Sequence, residues 1–92
     1  MITRCFISYS GVNLPLNLVN PLESAAHRNT YFRAYYDDQE RMVRCEKLVY
    51  DQVEMQHSYE YYPDGTLQRA EITDEDGETQ VLNFDRNGKR LP

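Results

Sequence analysis

The sequence predicts a mainly β protein on the border of α+β: an antiparallel meander of six or seven strands, curled or half-closed into a barrel, with one short helix over 21–27. Three observations predict it. Apolar and polar side chains alternate with period two along most of the chain, the pattern of strands with one face on a core and one in water. Runs rich in tyrosine, valine and threonine are separated by short Asp/Asn/Gly turns, which favour antiparallel neighbours. Only one stretch carries helix-start signals. At 92 residues the chain makes one domain, 1–92.

The elements follow in order. Residues 2–10 (ITRCFISYS) are β-branched and aromatic, and alternation places Cys5, Ile7 and Tyr9 on one face. Gly11 and Asn13 mark a turn. In LPLNLV, Leu14, Leu16 and Leu18 share one side, and Pro15, lacking an N–H, makes this an edge strand or an irregular extended segment. Asn20, Pro21 and Glu23 then match a capping box with proline at the first helical position, predicting the helix PLESAAH. From Thr30 the pattern is strand and turn. TYFRAYY precedes DDQE, RMVRCEKLVY precedes DQ, VEMQHSYEYY precedes PDG, TLQRAEIT precedes DEDG, and ETQVLNF precedes DRNGK. The clearest alternation puts Val53, Met55, His57, Tyr59 and Tyr61 on one face, with Glu54, Gln56, Ser58 and Glu60 on the other. The pairs Asp64-Gly65, Asp76-Gly77 and Asn87-Gly88 suit type I′ turns, which require positive φ at both central residues.

YDDQE (36–40), YYPDG (61–65) and FDRNG (84–88) each set an aromatic four positions before the turn's last residue. This resembles the YD-type repeats of Rhs-family proteins, although Glu40 takes the glycine position of the first copy and Tyr62-Pro63 replaces the aspartate of the second. The resemblance covers 36–91 and implies hairpin construction, not an activity. The whole chain, above all FISYSGVNLPLNLVNPL with the tyrosine-rich strands after it, is similar to a group of small uncharacterised bacterial proteins.

Charge narrows the function. The net charge is −5. Residues 1–34 carry three arginines against Glu23, +2, and residues 35–92 carry 7 basic and 14 acidic side chains, −7. That balance disfavours nucleic acid, whose phosphates call for clustered Lys/Arg. No stretch approaches the ~20 apolar residues of a membrane span. MITRCFISYSG lacks the apolar run of a signal peptide. A cytoplasmic location with Cys5 and Cys45 as free thiols is therefore expected. No ligand-spaced Cys/His set occurs, and the acidic turns lack the flanking helices of a calcium loop, so neither metal nor cofactor is expected. No Gly-rich phosphate loop or nucleophile elbow is present.

The eight tyrosines are the least ordinary feature. In TYFRAYY, a core formed by Phe32, Ala34 and Tyr36 leaves Tyr31, Arg33 and Tyr35 as a stripe on the other face, residue types that anchor protein interfaces. The leading expectation is a non-enzymatic interaction or accessory module that docks on a larger protein, or on itself as a homo-oligomer, through that stripe. The alternative is a half-barrel that binds a small ligand in a pocket lined by His57, Tyr59 and Tyr61, with His57 as the only proton carrier. A pocket of a few hundred Å³ beside His57 separates the two.

Overall fold

The computed structural model describes residues 1–92. Seven strands form a single antiparallel sheet: β1 (Ile2–Ser10), β2 (Asn17–Leu22), β3 (Thr30–Tyr36), β4 (Met42–Val49), β5 (Gln52–Tyr61), β6 (Leu67–Thr73) and β7 (Thr79–Asn83). Their order across the sheet is β2-β1-β3-β4-β5-β6-β7, open at β2 and β7, so the sheet does not close into a barrel. The expected meander holds from β3 to β7. Its start differs, because β2 folds back outside β1 and the chain then passes to β1's other edge to begin β3.

The expected helix at 21–27 is absent. Pro21 and Leu22 belong to β2, opposite Phe6 and Cys5, and Asn20 takes a left-handed φ of 60°. A two-turn helix has too few internal bonds to offset its nucleation cost. Pairing the same residues with β1 satisfies their backbone, and Pro21 needs no donor on an edge strand. What remains of the helical signal is a tight turn in which Arg28 N–H donates to Ala25 O at 3.1 Å.

Register defines two faces. On the first, Phe6 lies opposite Phe32, Ala34 opposite Cys45, Cys45 opposite His57, and Tyr59 opposite Ala70. Ala34, Cys45, Tyr59 and Ala70 are buried at its centre, with Leu14, Leu16, Leu18, Tyr36, Met42, Tyr61 and Leu67 packed around them. Three small side chains flanking one tyrosine leave room for the β1–β2 loop to settle on the sheet, and Leu14 and Leu16 serve where a helix was expected. Cys5 lies opposite Arg33, on the second face, and Cys45 on the first. The sheet therefore separates the two thiols, which are free.

Turn geometry corrects the type I′ assignment. Gly65, Gly77 and Gly88 have φ of 92°, 80° and 84°, whereas the residues before them do not have positive φ. Each closes a three-residue loop, as in Asp74 N–H to Glu78 O at 3.0 Å with Gly77 N–H to Asp74 O at 3.1 Å, the pattern of a type I turn followed by a left-handed residue. The segments 37–41, 62–66 and 85–89 repeat it, and Glu40 (φ 61°) does occupy the glycine position. Asp37, Asp74 and Asp85 each accept two backbone N–H groups through Oδ1, at 2.9–3.0 Å. The Asp37 carboxyl is held below its ordinary range, first by the Arg41 N–H. The one loop with two positive φ values is Tyr50-Asp51 (49° and 64°), between the paired residues Val49 and Gln52 and without a glycine.

Candidate functional site

A cleft of about 530 Å³ lies on the first face beside His57. Tyr9, Val12, Leu14 and Leu16 form one wall, Phe32 and Met55 the sheet side, and Lys47, Glu54, Asp74 and Glu75 complete the lining. Residues of the β1–β2 loop and of the β6–β7 turn share it, so the sheet curls enough to bring elements near its two edges together over one site. Tyr9 meets Phe32 edge-on, ring centroids 5.6 Å apart.

The hydroxyl of Tyr59 positions both sides of the cleft. Leu16 N–H donates to it at 3.2 Å and fixes the loop. His57 Nδ1 lies 2.6 Å from it, and Cys45 Sγ 3.9 Å. With Leu16 already donating, the phenol proton goes to the stronger neighbouring acceptor, the imidazole nitrogen rather than the sulfur. Nδ1 is therefore the acceptor and the ring proton sits on Nε2. No buried side-chain nitrogen or oxygen lacks a partner, Nε2 bonds to no protein group, and His57 lines the cleft. Burial lowers the His57 pKa, keeping the ring neutral, and raises the Cys45 thiol to about 11. The site thus offers one neutral N–H donor at the base of an apolar cleft, backed by a thiol kept in its protonated form.

Of the residues singled out from sequence, His57 lines the cleft while Tyr59 and Tyr61 do not. Tyr59 stands behind His57, 3% exposed. The Tyr61 hydroxyl donates to Met42 O beneath the sheet's end, and burial raises its pKa to about 12. Leu16 and Tyr9, which the sequence offered only as strand residues, are wall residues of the cleft, so Tyr9 does not share a face with Cys5 as alternation implied.

Tyr31, Arg33 and Tyr35 lie together on the second face, as alternation implied. There Arg33 and Tyr35, with Arg44 of β4, surround Glu46, which is 2% exposed, while Tyr31 lies opposite Leu48. Tyr35 Oη donates to its carboxylate at 2.8 Å, Arg33 Nε at 3.1 Å and an Arg44 terminal nitrogen at 2.9 Å. Burial pushes the Glu46 pKa up, but the bonds from Tyr35 and Arg33 and the charge of Arg44 outweigh it and hold the group ionised. Tyr31 is itself buried, at 7% exposure. Several other tyrosines also act as fasteners: Tyr62 Oη donates to Phe84 O at 2.7 Å, and Arg4 and Arg41 lie over the rings of Tyr36 and Tyr61 at 5.4 Å.

Fold and site together define a small open β-sheet protein with one apolar cleft. Compared with known proteins, the chain belongs to the family of unknown function DUF6156, which matches residues 1–92. The match carries no Rhs-type repeat, so the shared turns at 37–41, 62–66 and 85–89 are a common hairpin solution rather than evidence of that kinship. No curated protein and no solved structure matches the chain. No helix is long and apolar enough to cross a membrane.

Proposed function

We propose that this protein is a non-enzymatic binding module that takes a small ligand into the cleft beside His57. The observation that carries the reading is the combination of a cleft of about 530 Å³ with His57 in its lining, a histidine whose Nδ1 is engaged by Tyr59 and whose Nε2 bonds to no protein group. The volume falls within the ~300–1,000 Å³ of typical ligand sites, which pair apolar walls with a few oriented polar groups. The ligand would place an apolar body against Leu14, Leu16, Phe32 and Met55 and a hydrogen-bond acceptor against Nε2. Binding rather than catalysis is favoured by the groups on hand: Cys45 is buried and protonated at neutral pH, and His57 has no nucleophile facing it across the cleft. Docking of a protein on the Tyr31/Arg33/Tyr35 stripe is the weaker reading, because Arg33 and Tyr35 are engaged by Glu46 and Tyr31 is buried.

An NMR screen of small aromatic fragments against the labelled protein tests the reading. Amide shifts should cluster at Leu14, Leu16, Met55 and His57, and Met55→Trp, which fills the cleft, should abolish them in a folded protein. Hits that gather on the second face, or that survive Met55→Trp, would overturn it.

A further inference from the structure

The lip of the cleft carries a charge that its apolar walls do not require. Glu54 on β5 and Asp74 and Glu75 in the β6–β7 turn stand there against Lys47, so the local balance is 1 − 3 = −2. The pairing of Gln56 with Thr73 at the end of the β5–β6 ladder brings Glu54 beside that turn. The four ion pairs of the protein are Arg33–Glu46, Arg41–Asp37, Arg44–Glu46 and Arg69–Glu71, so all three lip carboxylates lack a cationic partner. Only Asp74 is partly engaged, its Oδ1 closing the turn. A smaller depression of about 290 Å³ is lined by the same three side chains. The acidic lip does not stand alone as a signal. His57, 6% exposed, lines the same cleft, and its Nε2 bonds to no protein group.

We infer that the ligand is an amphipathic amine, a conclusion that rests on the cleft being a ligand site. Its apolar body fills the space between Leu16 and Met55, an ether or carbonyl oxygen accepts from His57 Nε2, and a protonated nitrogen emerges at the Glu54/Asp74/Glu75 lip. Charge complementarity selects this class. A carboxylate ligand would meet net negative charge at the lip, and a neutral one would draw nothing from it.

Three matched compounds test the inference: a methoxynaphthyl ethylamine, the corresponding alcohol and the corresponding carboxylic acid. Each is titrated into labelled protein at neutral pH and low salt, and dissociation constants are read from the amide shifts of Leu16, Met55 and His57. The amine should bind about 5–10-fold more tightly than the alcohol, the advantage of two or three solvent-exposed charge contacts, and the acid should bind most weakly. In the double variant Glu54→Gln/Glu75→Gln, which leaves the Asp74 turn intact, the amine should fall to within about twofold of the alcohol. The alcohol's own constant should not change. An alcohol that matches the amine in the unmodified protein, or an amine preference that survives the double variant, overturns the charge inference and leaves the cleft reading standing. No shift at the cleft with any of the three overturns both.

Discussion

Replacing Tyr59 with phenylalanine removes a single oxygen but dissolves the junction that joins the β1–β2 loop to the sheet. The hydroxyl accepts from Leu16 N–H at 3.2 Å and donates to His57 Nδ1 at 2.6 Å. Each hydrogen bond contributes about 0.5–1.5 kcal/mol net, and a buried polar group left without a partner costs about 1–3 kcal/mol. The ring itself, packed among Ala34, Cys45 and Ala70, stays in place. Because the Leu16 amide is only part-buried and can recover some hydration, the sum for the variant is roughly 2–3 kcal/mol. Urea unfolding should therefore show a midpoint lower by about 1–2 M with an unchanged slope. Tyr61→Phe is the matched control. It frees only the Met42 carbonyl, an acceptor with less to lose, and should cost about 1 kcal/mol. The assignment fails if Tyr59→Phe lies within about 0.5 kcal/mol of the unmodified protein, or if Tyr61→Phe is the more damaging change.

Two further outcomes follow from the same geometry. His57 has a pKa below its ordinary 6.5 because burial disfavours the charged ring. The folded state thus binds fewer protons than the unfolded one, and stability should fall as pH drops from about 6.5 towards the lowered folded value. Glu46, held below its ordinary 4.5, adds a second loss below that pH. Chemical denaturation across pH 3–8 reads both slopes, and His57→Asn should flatten the upper one only. The Tyr50-Asp51 loop is the strained hairpin, with φ of 49° and 64° on two non-glycine residues and Tyr50 71% exposed. Tyr50→Asn/Asp51→Gly should stabilise the protein by about 1–2 kcal/mol in thermal unfolding, and a loss of stability would show that Tyr50 packs in a way the loop geometry does not reveal.

Strands were the most legible part of the chain, because period-two alternation is a property of the pleat itself. From Met55 to Tyr59 it holds, and His57 and Tyr59 are buried where it placed them. A bulge opposite Lys47 and Leu48 breaks it before that, setting Val53 opposite Leu48 on the second face and bringing Glu54, expected on the other face from His57, into the cleft lining. The helix was misread from a strictly local signal. Asn20, Pro21 and Glu23 form a good cap in isolation, but β1 offers Pro21 and Leu22 a longer-range partner, and no local pattern reports that competition. Pro15 did signal an edge strand, and β2 is one; that the strand runs on to Leu22 and leaves β1 between β2 and β3 was hidden for the same reason. Dipeptide signals placed the glycine turns but not their geometry, since Asp-Gly serves a three-residue loop with one positive φ as readily as a two-residue loop with two. At the site, alternation put His57 on the correct face. It could not show that Tyr59 stands behind the histidine, or that Leu16 crosses from another segment to meet the same hydroxyl. The second-face carboxylate was equally hidden. Only register brings Arg33, Tyr35 and Arg44 around Glu46.

The central claim is that the cleft beside His57 receives a ligand whose acceptor bonds to Nε2. A crystal structure of the protein soaked with the methoxynaphthyl ethylamine tests it most directly. The account predicts the aromatic body between Leu16 and Met55, with the ether oxygen within hydrogen-bond distance of Nε2. An ordered compound elsewhere on the protein, or an Nε2 bonded to a protein group with the cleft filled by side chains, would contradict it.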